Sequence, residues 1–341
     1  MSSGASTRDP RCGDECTVVL TDVTRRFDDV TALEGISMGV REGTILGLIG
    51  PSGSGKTTTI RTLTGSLAPT SGTVRVLGED PMHFRASTRE RIGYMPQQFV
   101  LYRDLTVDEN VDFVAALFGM LYRRRRRRVR EVLEMVELWD VRGRRASRLS
   151  GGMQRRLSLA CALVHEPSLF LLDEPTAGLD PLLRQSVWRE LGRLRDRGRT
   201  LLVTTQYVGE AELCDQVALI AQGHLVALGT PDDLRRQALG GDLLWIETDR
   251  PIDARSMPDV QGVESIRQHG PSELMVVARD AGETSPRIVD AFSSQGITVT
   301  ASREERPSFD EIFARLVEQH ARREAAASEQ DAEGRGHDVA A

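Results

Sequence analysis

The stretch Ile45-Leu46-Gly47-Leu48-Ile49-Gly50-Pro51-Ser52-Gly53-Ser54-Gly55-Lys56-Thr57-Thr58-Thr59 constrains this chain more than any other. Its unbroken apolar start predicts a parallel strand buried on both faces, running straight into a glycine-rich turn and then a helix. Gly50 and Gly55-Lys56-Thr57 are separated by Pro51, Ser52, Gly53 and Ser54, the spacing of the phosphate cradle known as the P-loop. Glycines let backbone N–H groups turn inward around phosphate oxygens, Lys56 adds positive charge at the β and γ positions, and the Thr57 hydroxyl can ligate Mg²⁺. The helix that follows also points an N-terminus worth about half a positive charge at the anion. A merely structural strand-to-helix joint has no use for Lys-Thr after the glycines. The chain is therefore expected to bind a nucleoside triphosphate through Gly50 to Thr58.

The sequence Leu169-Phe170-Leu171-Leu172-Asp173-Glu174-Pro175 supplies a second half to that chemistry. Four apolar residues predict a buried strand ending in two adjacent carboxylates, which alternate in direction. Asp173 can hold Mg²⁺ through water, and Glu174, pointing the other way, can polarise an attacking water as general base. Ile92-Gly93-Tyr94-Met95 predicts a short buried strand that stops at Pro96, leaving Gln97 at its exit. There a glutamine either reaches a metal-bound water through its amide oxygen or is an ordinary loop residue. Phe27 ends an alternating strand, where it either meets the adenine of a bound nucleotide or packs in the core. In Leu149-Ser150-Gly151-Gly152-Met153, Ser150 is a natural N-cap, and Gly151 and Gly152 leave a helix start sterically open. An uncovered helix start suits a phosphate. Because the P-loop already holds this chain's phosphates, the second site suggests two copies sharing each nucleotide. Asp180-Pro181 predicts another helix start, and Thr200 to Thr205 a buried strand leading into Gln206.

Composition narrows the class. With 44 basic and 50 acidic residues the net charge is −6, which carries no polyanion-binding signature. No apolar run approaches the ~18 residues of a membrane span, and the polar start lacks a secretory signal's apolar segment, so a soluble, cytoplasmic chain is expected. Of the four cysteines, Cys12 and Cys16 lack a second ligand pair for a metal and read as ordinary thiols, while Cys161 and Cys214 fall in apolar helical patterns. Arg123 to Arg128 is an unbroken basic run, more simply read as a solvated link between helices than as a surface for lipid or nucleic acid. The capping pattern Thr106 to Glu109 predicts a helix from about Val107.

Taken together, and in this order, Phe27, Gly50 to Thr58, Gln97, Leu149 to Met153, Asp173-Glu174 and Ala177-Gly178-Leu179-Asp180 resemble the nucleotide-binding subunit of an ABC transporter, across roughly residues 17–237. The resemblance implies an α/β P-loop ATPase core with a helical subdomain, ATP and Mg²⁺ as cofactors, and adenine stacking on Phe27. Catalytic roles fall to Glu174, Gln97 and Gln206, metal contacts to Thr57, Gln97 and Asp173, and a place in the D-loop to Asp180. It also implies a head-to-tail homodimer in which Ser150, Gly151 and Gly152 of one copy close on the nucleotide of the other. The partner would be a separate membrane permease, with this subunit peripheral on the cytoplasmic face and no nucleic acid involved. Two positions depart from the family pattern: Met153 replaces the usual glutamine, and Gln206 stands where most members carry histidine. Glutamine can donate a hydrogen bond to a γ-phosphate but carries no charge, which implies slower hydrolysis. Thr204-Thr205-Gln206-Tyr207 and Pro307-Ser308-Phe309-Asp310-Glu311-Ile312-Phe313 resemble the daunorubicin-type drug-resistance exporters.

After Gly240-Gly241, residues 238–324 are expected to form a small accessory α+β domain serving dimerisation or stability. It should hold strands at 243–248, 274–278 and 297–300 and helices at 287–295 and from 311 to about 323. Residues 1–16 and 325–341 are expected to be disordered. The rival reading, a soluble ABC-type ATPase acting on ribosomes or DNA, asks for a second cassette or for long coiled coils between P-loop and signature. The chain has one P-loop and no sustained heptads. A nucleotide-gated binder without catalysis rests on Gln206 alone, and the intact Glu174 weighs against it.

Overall fold

The computed structural model describes residues 16–98 and 100–337. The chain divides between Leu228 and Gly229 into two compact units. The sequence reading sets that boundary at 237, which falls inside a helix.

The first unit opens with an antiparallel hairpin of β1 (Cys16–Phe27) and β2 (Val30–Arg41). Next come β3 (Ile45–Ile49), α1 (Lys56–Leu63), β4 (Ser71–Val76), α2 (Ala86–Arg89) and β5 (Ile92–Met95). Three helices follow: α3 (Val107–Leu117), α4 (Tyr122–Met135) and α5 (Gly151–Leu163). The unit closes with β6 (Leu169–Asp173), α6 (Pro181–Asp196), β7 (Thr200–Thr205), β8 (Gln216–Ala221) and β9 (His224–Gly229).

Two sheets result. One is three-stranded and antiparallel, in the order β2-β1-β4; the other has six strands in the order β5-β6-β7-β3-β8-β9, and its first five pair in parallel. The central strands β3, β6 and β7 are buried at every position, as their near-continuous apolar sequences require. Leu20, Ile36, Met38 and Val40 from the antiparallel sheet join Leu46, Leu48, Leu171 and Leu202 from the parallel one in a single core. Helix α3 starts at Val107 with the expected capping box, Thr106 Oγ1 accepting from Glu109 N while Glu109 Oε2 accepts from Thr106 N.

The arginine run corrects the sequence reading. Arg123 to Arg128 are the opening turns of α4 rather than a link between helices. Their side chains reach carboxylates: Arg125 meets Asp112 and Arg126 meets Asp108 on α3, both at 2.8 Å, and Arg128 meets Glu131 at 2.9 Å. Arg124 pairs with Glu166, beyond the end of α5. Repulsion at i,i+4 is thus offset by acids brought in from neighbouring elements.

The second unit holds α7 (Pro231–Leu239), β10 (Asp242–Thr248), β11 (Val263–Gly270), β12 (Glu273–Ala278), α8 (Ala281–Ser294), β13 (Val299–Glu305) and α9 (Phe309–His337). Its antiparallel sheet runs β11-β12-β10-β13, and Leu244, Ile246, Leu274 and Val276 pack beneath Ile288 and Phe292 of α8. Four features differ from expectation, the first being that β13 runs Val299–Glu305 rather than 297–300. Strand β11 was not foreseen because its sequence is polar and mostly exposed, as an edge strand permits. Helix α8 begins at Ala281 rather than 287, because Asp280 caps it by accepting from Glu283 N and the helix tolerates Pro286 inside it. Helix α9 continues past Arg323 to His337 through an Ala- and Glu-rich stretch of high helix propensity. The expected leader lies outside the described residues apart from Cys16, as do residues 338–341 of the expected tail. Cys16 is disulfide-bonded, which corrects the expectation of an ordinary thiol; Cys12 is outside the described residues. Cys161 and Cys214 are free, and burial pushes both thiols above their usual range. Among the described residues no helix is long and apolar enough to cross a membrane.

Candidate active site

Parallel strands deliver the candidate residues to one edge of the six-stranded sheet. The P-loop follows β3, Gln97 lies just beyond β5, Asp173 and Glu174 close β6, and Gln206 follows β7. Ligands of open α/β sheets sit outside these carboxyl ends.

The P-loop is fixed by two glycines. A Cβ on Gly50 would lie 2.0 Å from the carbonyl oxygen of Ile220 in β8. Gly55, at φ +110°, would press a Cβ to 2.7 Å from the carbonyl oxygen of Ala32. No side chain caps α1, so its first N–H groups stay open to an anion. Lys56 is buried; its ammonium donates to the carbonyls of Gly50 and Pro51, both at 2.8 Å, and lies 3.9 Å from Glu174 Oε1. Burial lowers the pKa of that ammonium, while Glu174 and Asp173 oppose the shift. Pro51, Ser52 and Gly53 are exposed, whereas Ser54 is buried and its hydroxyl has no hydrogen-bond partner among the described residues.

A pocket of about 150 Å³ is lined by Ala32, Ser52, Gly53, Gly55, Lys56, Thr57, Thr58, Gln97 and Glu174. Gln97 spans it: Thr57 Oγ1 donates to Gln97 Oε1 at 3.4 Å, and Gln97 Nε2 donates to Glu174 Oε2 at 3.3 Å. Behind them Asp173 is fully buried. Its Oδ1 accepts from Thr204 Oγ1 at 2.6 Å, and its Oδ2 has no hydrogen-bond partner among the described residues. Glu174 sits at φ +52°, a conformation costing about 1–2 kcal/mol for a residue with a Cβ. Its N–H donates to both the carbonyl oxygen (3.1 Å) and the hydroxyl (2.9 Å) of Thr204, which holds that turn in place.

Other expected residues lie outside that pocket. Ser150 caps α5, accepting from Met153 N at 3.4 Å, and both Ser150 and Gly151 are exposed. A Cβ on Gly152 would meet Leu179 Cδ2 at 3.6 Å, so the open helix start lies beside the Ala177 to Asp180 turn. Asp180 uses its carboxylate to cap α6, accepting from Leu183 N at 3.1 Å. Phe27 ends β1 with 39% of its surface exposed, and the Arg25 guanidinium lies 4.5 Å above its ring. Gln206 is exposed at the exit of β7.

Sequence reasoning missed three participants. Thr204 could have been flagged as a polar residue inside an otherwise apolar buried strand. Arg155 stands in the buried stripe of α5, where an arginine is conspicuous. Glu210, buried, accepts from Thr176 Oγ1 at 2.8 Å and meets Arg184 Nε at 3.8 Å, joining the turn after Glu174 to the segment after Gln206.

Comparison with known proteins agrees with this geometry. A family model described as "ABC transporter" matches residues 33–177, and one described as "ATP-binding protein DrrA1-3-like, C-terminal domain" matches residues 229–317. The probable multidrug ABC transporter ATP-binding protein YbhF of Escherichia coli (strain K12) is 39% identical over 66% of this chain and 39% of its own length. The chain thus spans well under half of that relative. The Nod factor export ATP-binding protein I of Paraburkholderia xenovorans (strain LB400) is 41% identical over 71% of this chain and 80% of its own length. Among solved structures, an ATP-binding subunit of an ABC transporter is 28% identical with a TM-score of 0.61, covering 65% of this chain and 92% of that one. A dimeric, post-hydrolysis ATP-binding cassette, MJ0796 with ADP and Pi, is 28% identical with a TM-score of 0.58, covering 62% and 98%. From the paired cradle and carboxylates and from these relatives, the chain belongs to the ATP-binding proteins of ABC transporters.

Proposed function

We propose that this chain binds and hydrolyses ATP to power a separate membrane permease, and that the cargo is a hydrophobic drug or natural product leaving the cell. One observation carries the hydrolytic part: Gln97 bridges Thr57 of the phosphate cradle to Glu174 across the pocket, with Asp173 buried behind. The Lys56 ammonium, poised at the mouth of the loop, offers positive charge to the β and γ oxygens. Glu174 accepts the proton of the attacking water. Gln206 contributes a hydrogen bond without charge, which favours slow turnover over none.

The residues fit a magnesium ion. A buried carboxylate oxygen without a partner is costly, and Asp173 Oδ2 is one, in the residue next to Glu174 of the pocket. Thr57, Gln97 and Asp173 would hold the ion, which when bound supplies charge neutralisation to the phosphate oxygens.

Two copies are proposed to face one another, with Ser150 to Gly152 of each meeting the nucleotide held by the other. This accounts for an exposed, capped helix start that lies outside its own chain's pocket. The permease is assigned to a groove of about 450 Å³ lined by Gln97, Gln98, Leu101, Arg103, Ala146 and Gln154. Tyr102 beside it is 52% exposed. Such docking places the subunit on the cytoplasmic face of the membrane. Relatives named for multidrug and Nod factor export support an outward direction.

The test is Mg-ATP turnover by the purified chain, with and without its permease, against Glu174→Gln. Loss of the base is expected to lower kcat by about 100-fold or more while nucleotide binding persists. Equal rates for the two proteins would overturn the hydrolytic reading. Recovery of a polytopic membrane protein with tagged Glu174→Gln in ATP supports the permease, whereas recovery of ribosomes or DNA alone refutes it.

A further inference from the structure

On α5, Arg155, Ser158, Leu159 and Ala162 form one buried stripe. A guanidinium in such a place needs partners to offset its lost hydration. Arg155 is 9% exposed, and its Nη1 donates to the main-chain carbonyl of Gln97 at 3.2 Å. That carbonyl belongs to the residue whose side chain joins Thr57 to Glu174, at 3.4 and 3.3 Å. Both side-chain bonds are long for their type, so small shifts of the Gln97 main chain decide whether they form.

We infer that Arg155 is a positioning residue: it fixes the main chain of Gln97 and so sets where the Gln97 amide meets Thr57 and Glu174. The inference rests on the ATPase reading above. A planar guanidinium holds a carbonyl in a narrower range of directions than a flexible ammonium does, so a rotation of α5 is passed on to the loop. Helix α5 starts at Gly151, about one turn earlier, and its cap Ser150 and first residue Gly151 are exposed. Any ligand or second copy that displaces this helix start therefore reaches Gln97 and Glu174 through one buried side chain. Burial lowers the guanidinium's pKa while Glu174 and Asp173 raise it, in keeping with a cation inside the field of the catalytic carboxylates.

The experiment is a double-mutant cycle on the full-length chain using wild type, Arg155→Met, Gln97→Ala and the pair. It reads kcat and KM for Mg-ATP, thermal melting, and deuterium uptake of the peptide carrying Gln97. Arg155→Met is expected to lower kcat about tenfold with KM changed less than about twofold, since misplacement acts on the reacting geometry. Deuterium uptake at the Gln97 peptide should rise, and Arg155→Lys should restore part of kcat. In the Gln97→Ala background the same substitution should change kcat less than about twofold, because the group it positions is gone. Equal losses in both backgrounds, a change in KM alone, or unchanged uptake would each overturn the inference. Should Arg155→Met fail to melt cooperatively, Arg155→Lys takes its place in the cycle. If wild-type turnover does not exceed that of Glu174→Gln, the ATPase reading fails. Deuterium uptake then decides the Arg155 contact alone: a rise supports it and no change refutes it.

Discussion

Thr204 performs two tasks with one hydroxyl, donating to Asp173 Oδ1 and accepting from the N–H of Glu174. Thr204→Val keeps the shape and removes both bonds. It leaves a buried carboxylate oxygen without its donor, while the Glu174 amide keeps the main-chain carbonyl at position 204, and the lost bond costs about 1–3 kcal/mol. Chemical denaturation should register that loss, and kcat should fall because Glu174 leaves its strained turn; unchanged stability would show that Thr204 is a packing residue only. The residues carrying this chemistry were legible to different degrees. Gly50 to Thr58, Asp173 and Glu174 announce themselves by spacing, because each type is needed at one step along a strand-loop-helix path, whereas Gln97 reads either way until the family resemblance is weighed. Thr204 and Arg155 do not, because their roles arise from pairing with residues 31 and 58 positions away.

At the scale of the element, the capping box of α3 couples the helix to pH. Hydrogen bonds from the Thr106 backbone, and next from its side chain, hold the Glu109 carboxyl below its ordinary value of 4.5. A depressed carboxylate contributes stability that is present above the unfolded value and lost as pH falls through the folded one. The melting temperature of wild type should therefore exceed that of Glu109→Gln near neutrality, and the gap should close below about pH 4.5. A gap independent of pH would assign the effect to shape instead. The start of this helix was readable because the box is local. Strand β11 and the early start of α8 were not, since a polar edge strand has no alternation to betray it, and Pro286 reads as a beginning until the Asp280 cap is seen.

At the scale of the molecule, each unit has a core of its own, and every expected site residue from Phe27 to Gln206 belongs to the first. A chain ending at Thr230 is expected to bind ATP with the affinity of the full chain, within about twofold, by equilibrium titration; a larger loss would give the second unit a share in the nucleotide site. The division itself was visible in the glycine pair and the change of pattern, but its position was not, because α7 continues the helical spacing across the expected boundary. The arginines of α4 carry one more consequence. To the buried Val129, Val132 and Leu133 of that helix they add ion pairs to α3 and to the segment after α5, at partly exposed positions. Dissolved electrolyte weakens such pairs and leaves the buried valines and leucine of α4 untouched, so added salt will loosen the arginine end of this helix while its apolar face stays packed.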